Sequence, residues 1–122
     1  MVFITRRSVI LSAVAALSAT ATLFTHPRSW AAHNPKSAEH VVIIEKFRFV
    51  PAILRVHPND TITWANHDIT SHTATAKDKS WDTGEIKKGQ SKSLKITADT
   101  EMAYFCRFHP GMKASLEIII EN

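Results

Sequence analysis

The sequence predicts an all-β protein: a sandwich of two sheets made from seven or eight short strands. Three observations carry that expectation. From about Glu39 onward, apolar residues recur with period two in short runs rich in β-branched and aromatic side chains, as half-buried strands require. Clusters of turn-forming residues separate these runs at close intervals. Beyond residue 31 no window keeps a helical apolar period with caps at its ends.

The first 31 residues stand apart from that pattern. "TRRSVILSAVAALSATATLF" opens on the pair Arg6–Arg7 and continues into an uncharged apolar run from Val9 to Phe24. "SWAA" follows, with small residues suited to a signal-peptidase cut after Ala31. These features predict an export signal over residues 1–31 and a mature domain over 32–122, delivered to the periplasm. The adjacent arginines point to the twin-arginine route, which carries folded proteins and so suits a cofactor loaded before export. As a membrane anchor, the run is diluted with Ser, Thr and Ala and is shorter than the roughly 20 residues a spanning helix needs. No stable membrane insertion is expected after processing.

Cleavage would also remove Arg6, Arg7 and Arg28. The 15 basic residues then fall to 12 against 11 acidic ones, and the net charge falls from +4 to +1. The basic balance of the full chain is therefore no sign of nucleic-acid binding, and no aromatic–basic interleaving accompanies it.

Along the mature chain, residues 32–38 read as a leader into the first strand, "HVVIIEKFRFV". In "TITWAN", Ile62 and Trp64 share one face while Thr61, Thr63 and Ala65 share the other. "HTATA", opening at His72, reads as a further strand. "SKSLKIT" sets Leu94 and Ile96 against Lys92 and Lys95. The last strand aligns Ala114, Leu116, Ile118 and Ile120 opposite Glu117. Turns are expected at "HPND" (57–60), "AKDK" (76–79), "KKG" (87–89) and "ADT" (98–100). Pro51 and Pro58 suit edges or turns.

The chemistry concentrates in "YFCRFHPGM", residues 104–112, which holds the sole cysteine. An exported protein with one unpaired thiol carries a buried spectator, half of an intermolecular bridge, a nucleophile or a metal ligand. Here Cys106, His109 and Met112 recur at three-residue spacing on a loop between two strands, with Pro110 and Gly111 expected to close it. Thiolate, imidazole and thioether are soft or borderline donors, and a His₂Cys site with a weak axial Met is the blue-copper arrangement. One more histidine is needed. His40 and His57 read as solvated. His67 and His72 lie in the segment leaving the Trp64 strand, and His72 sits at a strand end. Trp64 and Trp81 read as packing residues, Tyr104 and Phe105 as an apolar wall beside the site, and the lysines at 87, 88, 92 and 95 as a solvated face.

"ITWANHDITSHTATA", "SWDTGEIKKGQSKSLKIT" and "YFCRFHPGM" together resemble the successive signature segments of small bacterial cupredoxins, over about residues 39–121. The Cys-x-x-His-x-x-Met loop is similar to the short ligand loop of amicyanins. The resemblance implies a Greek-key cupredoxin sandwich holding one copper ion, Cu(I) or Cu(II). It implies His72, Cys106 and His109 as strong ligands and Met112 as the weak axial ligand. It also implies an electron-exit patch of His109, Phe108, Pro110 and Gly111, extended by Ala52 or Ile53.

Around the ligands, Asn66, Thr73, Arg107, Phe108 and Pro110 form the expected surrounding shell. Many cupredoxins carry an Asn directly after the upstream His; here Thr73 stands there, so Thr73 or Asn66 would tie the ligand loops together. Amicyanins often place a small residue and Pro where this chain has Arg107 and Phe108. Arg107 would raise the reduction potential unless an acid pairs with it.

Four protein ligands leave no open coordination position for substrate, which argues for a one-electron carrier and against an enzyme. The resemblance implies a monomer with transient redox partners: methylamine dehydrogenase or another dehydrogenase on one side, a c-type cytochrome or oxidase on the other. A copper-delivery protein using the same ligands is the competing reading, but delivery favours Met-rich exposed sites, and Met102 and Met112 are the sole methionines of the mature chain. A metal-free adhesion sandwich would leave the Cys–His–Met loop unexplained, and a binuclear copper site would need a second cysteine.

Overall fold

The computed structural model describes residues 36–121; the expected export signal at 1–31 and its cut after Ala31 lie outside the described residues. Eight strands follow in order: β1 (Glu39–Glu45), β2 (Arg48–Val50), β3 (Ile53–Val56), β4 (Thr61–Asn66), β5 (Thr75–Ala76), β6 (Ser91–Lys95), β7 (Ala103–Phe105) and β8 (Lys113–Ile118). They form two four-stranded sheets, ordered β2-β1-β4-β6 and β3-β8-β7-β5. The expected all-β two-sheet sandwich is the architecture found. The chain crosses between sheets rather than completing one before the other, and two neighbouring pairs, β1 with β4 and β3 with β8, run parallel.

The core follows from alternation. In β4, Ile62, Trp64 and Asn66 are buried while Thr61, Thr63 and Ala65 lie on the other face. Val42 and Ile44 of β1, Leu116 of β8 and Tyr104 of β7 meet them between the sheets. Phe49, Trp64, Trp81 and Tyr104 form an aromatic group with neighbouring ring centroids 4.8–5.7 Å apart, within the range of favourable edge and offset contacts.

Three local expectations need correction. "HVVIIEKFRFV" is a hairpin, since Lys46 and Phe47 turn the chain with φ of 49° and 57°. A two-residue turn with both central residues left-handed matches the strand twist but usually recruits Gly, Asn or Asp, and none stands here. In "HTATA" the ladder is confined to Thr75 and Ala76, with His72 forming an isolated bridge to Ile86. Ile120 lies past the end of β8 and is exposed.

At the start of β4, Asp60 is buried and its carboxylate accepts from the backbone N–H of Ala38 (2.8 Å) and of His57 (2.9 Å) and from His40 Nε2 (2.7 Å). His40 is thus a partner of a buried acid rather than a solvated residue, while His57 is exposed as expected. Among the described residues no helix is long and apolar enough to cross a membrane.

Candidate metal centre

At the other end of β4, two loops converge. One runs from Asn66 to Thr75, the other from Cys106 to Met112, joining β7 to β8. The second is a tight structure: the Cys106 N–H donates to the Met112 carbonyl (3.0 Å), His109 N–H to the Cys106 carbonyl (3.2 Å) and Met112 N–H to the His109 carbonyl (2.8 Å). These bonds bend the loop back on itself, so Cys106 and Met112 both enter the core while His109 stays half-buried. Gly111 does not supply the expected special conformation. Its φ lies outside the left-handed region and nothing stands within 4 Å of where a Cβ would be.

The first loop is organised by Asn66 and Asp68. Asn66 Nδ2 donates to the carbonyls of Thr70 (2.7 Å) and Ile86 (2.8 Å), and its Oδ1 accepts from Asp68 N–H (2.9 Å). His72 exchanges backbone bonds with Ile86 (3.1 and 2.7 Å). This fixes a fully buried imidazole whose Nδ1 lies 3.7 Å from Cys106 Sγ. His109 Nδ1 also lies 3.7 Å from that sulfur. Among the described residues, His72, Cys106 and His109 are the one group of potential metal-binding side chains whose donor atoms all fall within 4.8 Å of one another. His67 is exposed, and its N–H extends the pairing of β4 with Ile44.

The remaining nitrogen of His72 defines its tautomer. Nε2 faces Asp68 Oδ2 at 2.9 Å and Thr70 Oγ1 at 3.2 Å, so it carries the proton and leaves the Nδ1 lone pair toward the sulfur. Asp68 remains an acceptor: the Phe47 backbone N–H (2.9 Å), then that of Ile69 and the His72 ring, hold its carboxyl below the usual range against burial, which pushes the other way.

Thr73 joins the loops. Its N–H points at Cys106 Sγ (3.4 Å), and its Oγ1 accepts from the Arg107 N–H (2.9 Å). Asn66 organises the His72 loop, and Thr73 makes the cross-loop tie. Arg107 does have an acid: its Nε lies 2.6 Å from Asp82 Oδ2, and its guanidinium lies over the Phe108 ring at 5.8 Å. The condition for an unopposed cation beside the site is therefore not met. Around His109, Phe108, Pro110 and Gly111 are exposed.

Phe47, Asp68 and Asp82 were not anticipated. The Phe47 ring stands nearly perpendicular to both imidazoles, its centroid 5.5 Å from that of His72 and 4.9 Å from that of His109. The β1–β2 turn thus supplies an aromatic ring against His109. Asp68 could have been sought as an acid four residues before a candidate ligand; Phe47 and Asp82 left no local signal. Tyr104 belongs to the core, but Phe105 points to the outer face of its sheet beside Lys113.

A thiol with an imidazole nitrogen 3.7 Å away on each of two histidines suits a single ion. Donors at about 2.0–2.3 Å from one centre, at 120° to each other, stand roughly 3.5–3.8 Å apart. With Met112 buried on the same loop, the donor set fits copper in the soft-ligand, trigonal class of site. The fold and this site define a mononuclear copper protein of the sandwich type. The family model for copper-binding proteins of the plastocyanin/azurin family matches residues 16–120, and the chain belongs to that family, the cupredoxins, which hold one copper ion. A reduced amicyanin variant is similar at 28% identity, with a TM-score of 0.57, covering 69% of this chain and 83% of that one. A purple cupredoxin from Nitrosopumilus maritimus shares the fold at 18% identity, TM-score 0.61, covering 68% of this chain and all of that one. The copper-containing nitrite reductase of Thermus scotoductus SA-01, an enzyme, shares it at 21% identity and TM-score 0.63, covering 69% of this chain. This chain spans 23% of that reductase. Comparison with curated protein sequences gave no significant match.

Proposed function

We propose that the protein is a periplasmic type 1 copper carrier that passes single electrons between a redox enzyme and a c-type cytochrome or oxidase. One observation carries this reading most directly: the Nδ1 atoms of His72 and His109 both face Cys106 Sγ at 3.7 Å while the far nitrogen of His72 is committed to Asp68. Bound copper would supply reversible one-electron chemistry. His72, Cys106 and His109 would hold it, with Met112 as the weak fourth ligand.

The residues around the ligands favour a site that changes little between redox states. Asp68 and the Ile86 backbone hold His72, and Asn66 bonds to both of them. Thr73 fixes the sulfur and the following peptide. Burial of His72, Cys106 and Met112 excludes water from their side. His109, half-buried beside exposed Phe108, Pro110 and Gly111, is the ligand nearest solvent and the exit for the electron. The amicyanin likeness makes methylamine dehydrogenase a donor to try first; small transient contacts suit such partners. A monomer delivered by the signal at residues 1–31 completes the proposal.

The test is the visible spectrum of the purified protein loaded with Cu(II). An intense thiolate-to-copper band that vanishes on reduction and in Cys106→Ser is the expected result. A colourless protein that retains copper solely as Cu(I) would overturn the carrier reading in favour of copper delivery.

A further inference from the structure

The pole remote from the copper ligands holds a cavity of about 390 Å³, lined in part by Lys36, Ala38, His57, Ile119 and Glu121. Backbone pairing builds it. Val56, the last residue of β3, stands opposite Ile118 in the parallel ladder with β8. Its carbonyl also accepts from the Ile119 N–H (2.8 Å). The chain beyond β8 is thereby carried alongside the turn that starts at His57, and Glu121 arrives beside that imidazole.

His57 stands between two acids, and neither is at hydrogen-bond length from its ring. Glu121 Oε1 lies 3.6 Å from Nε2, and Asp60 Oδ2 lies 3.9 Å from Nδ1. Asp60 is already engaged: Oδ1 accepts from the Ala38 N–H, and Oδ2 from the His57 N–H and His40 Nε2. It acts on the imidazole as a fixed negative charge at Nδ1. The Glu121 contact is of another kind. Two donors held about 2.0–2.2 Å from one tetrahedral ion stand roughly 3.4 Å apart, close to the separation found here. Imidazole and carboxylate, without sulfur, favour a divalent ion over Cu(I). Lys36 is the cation that lines the cavity, and among the described residues it forms no ion pair with either acid. Two carboxylates therefore outnumber it.

We propose that His57 and Glu121 form a second, exchangeable site for a divalent cation of the zinc class, positioned by the buried charge of Asp60. A carboxylate behind a ligand imidazole orients the ring and makes its far nitrogen a better donor. Water from the cavity fills the remaining coordination positions, so the ion comes and goes rather than holding the fold together. While bound, it clamps the end of the chain to the turn at residues 57–60.

The test is a Zn(II) titration of the copper-loaded protein, held reduced so that it is diamagnetic, followed by amide and imidazole NMR. Saturable shifts are expected at residues 57–60 and 119–121, with the urea midpoint rising as zinc is added. His57→Gln and Glu121→Gln should each weaken binding by about tenfold or more, the loss that even an outer partner of a ligand causes. Both side chains are exposed, so without zinc each variant should keep the parent's urea midpoint and visible spectrum. Shifts centred on the exposed His67 or on His33 overturn the proposal. So does zinc binding that is unchanged in either variant, or a His57 ring that answers to pH and not to zinc.

Discussion

At the scale of single residues, Asp68 and Tyr104 show how burial is either answered or left open. Asp68 accepts from His72 Nε2 and so makes that imidazole a stronger donor through Nδ1. Asp68→Asn keeps the volume and removes the charge; Cu(II) affinity should fall about 10- to 100-fold and the reduction potential should rise, read by competition with a chelator and by voltammetry. Tyr104 is the opposite case. Its hydroxyl and the Trp64 indole N–H are buried without a hydrogen-bond partner of good geometry. Burial pushes the phenol up to about 12, with the Trp64 indole opposing. An acid raised in the folded state loses stability as pH climbs, because the unfolded chain ionises first. Between pH 10.0 and about 12 the cost approaches roughly 1.4 kcal/mol per pH unit. Tyr104→Phe should remove that slope in urea titrations run from pH 9 upward, and near neutrality it should leave stability equal or higher, since no hydrogen bond is lost.

At the scale of elements, the contact between the Asp82 segment and the ligand loop is the one most open to measurement. Arg107 follows Cys106 directly, and Asp82 reaches it from the connection between β5 and β6. The two charges largely cancel at the metal centre. Asp82→Asn should therefore raise the reduction potential, Arg107→Ala should lower it, and the double variant should return close to the parent. All three shifts should shrink with added salt, because both groups are partly exposed. Cyclic voltammetry at two ionic strengths decides the matter. The same contact marks the limit of what sequence can tell. Cys106, His109 and Met112 were legible because they share one short loop, and Ile62 and Trp64 because alternation leaves few ways to bury them. Asp82 was invisible because its pairing spans 25 residues and depends on how two loops meet in space. The Lys46–Phe47 turn was hidden for another reason: tertiary contacts, including Phe47 N–H to Asp68, hold a left-handed pair that local preference disfavours.

At the scale of the molecule, the sandwich has two differently built poles. One gathers the soft donors. The other is organised by Asp60, whose carboxylate ties together Ala38, His40 and His57. Burial alone would raise its pKa, but the backbone donors of His57 and Ala38, together with His40, outweigh it and hold the group below 3.8. The stability this confers is present above that unfolded value and is lost as pH falls through the lower folded one. Asp60→Ala would orphan these donors at a cost of about 2–3 kcal/mol in urea unfolding, while the visible spectrum of copper-loaded folded protein should stay unchanged. A spectral change in this variant would show that the poles are coupled.

That polarity has a mechanical side. The polypeptide joins the sandwich at Ala38, beside Asp60, and β4 carries the fold from there to the ligand end over six residues, about 20 Å. Any tether pulling on Lys36 therefore acts on the pole remote from His109. Held by that end to a surface, a bead or a larger assembly, the domain would turn its His109 end outward.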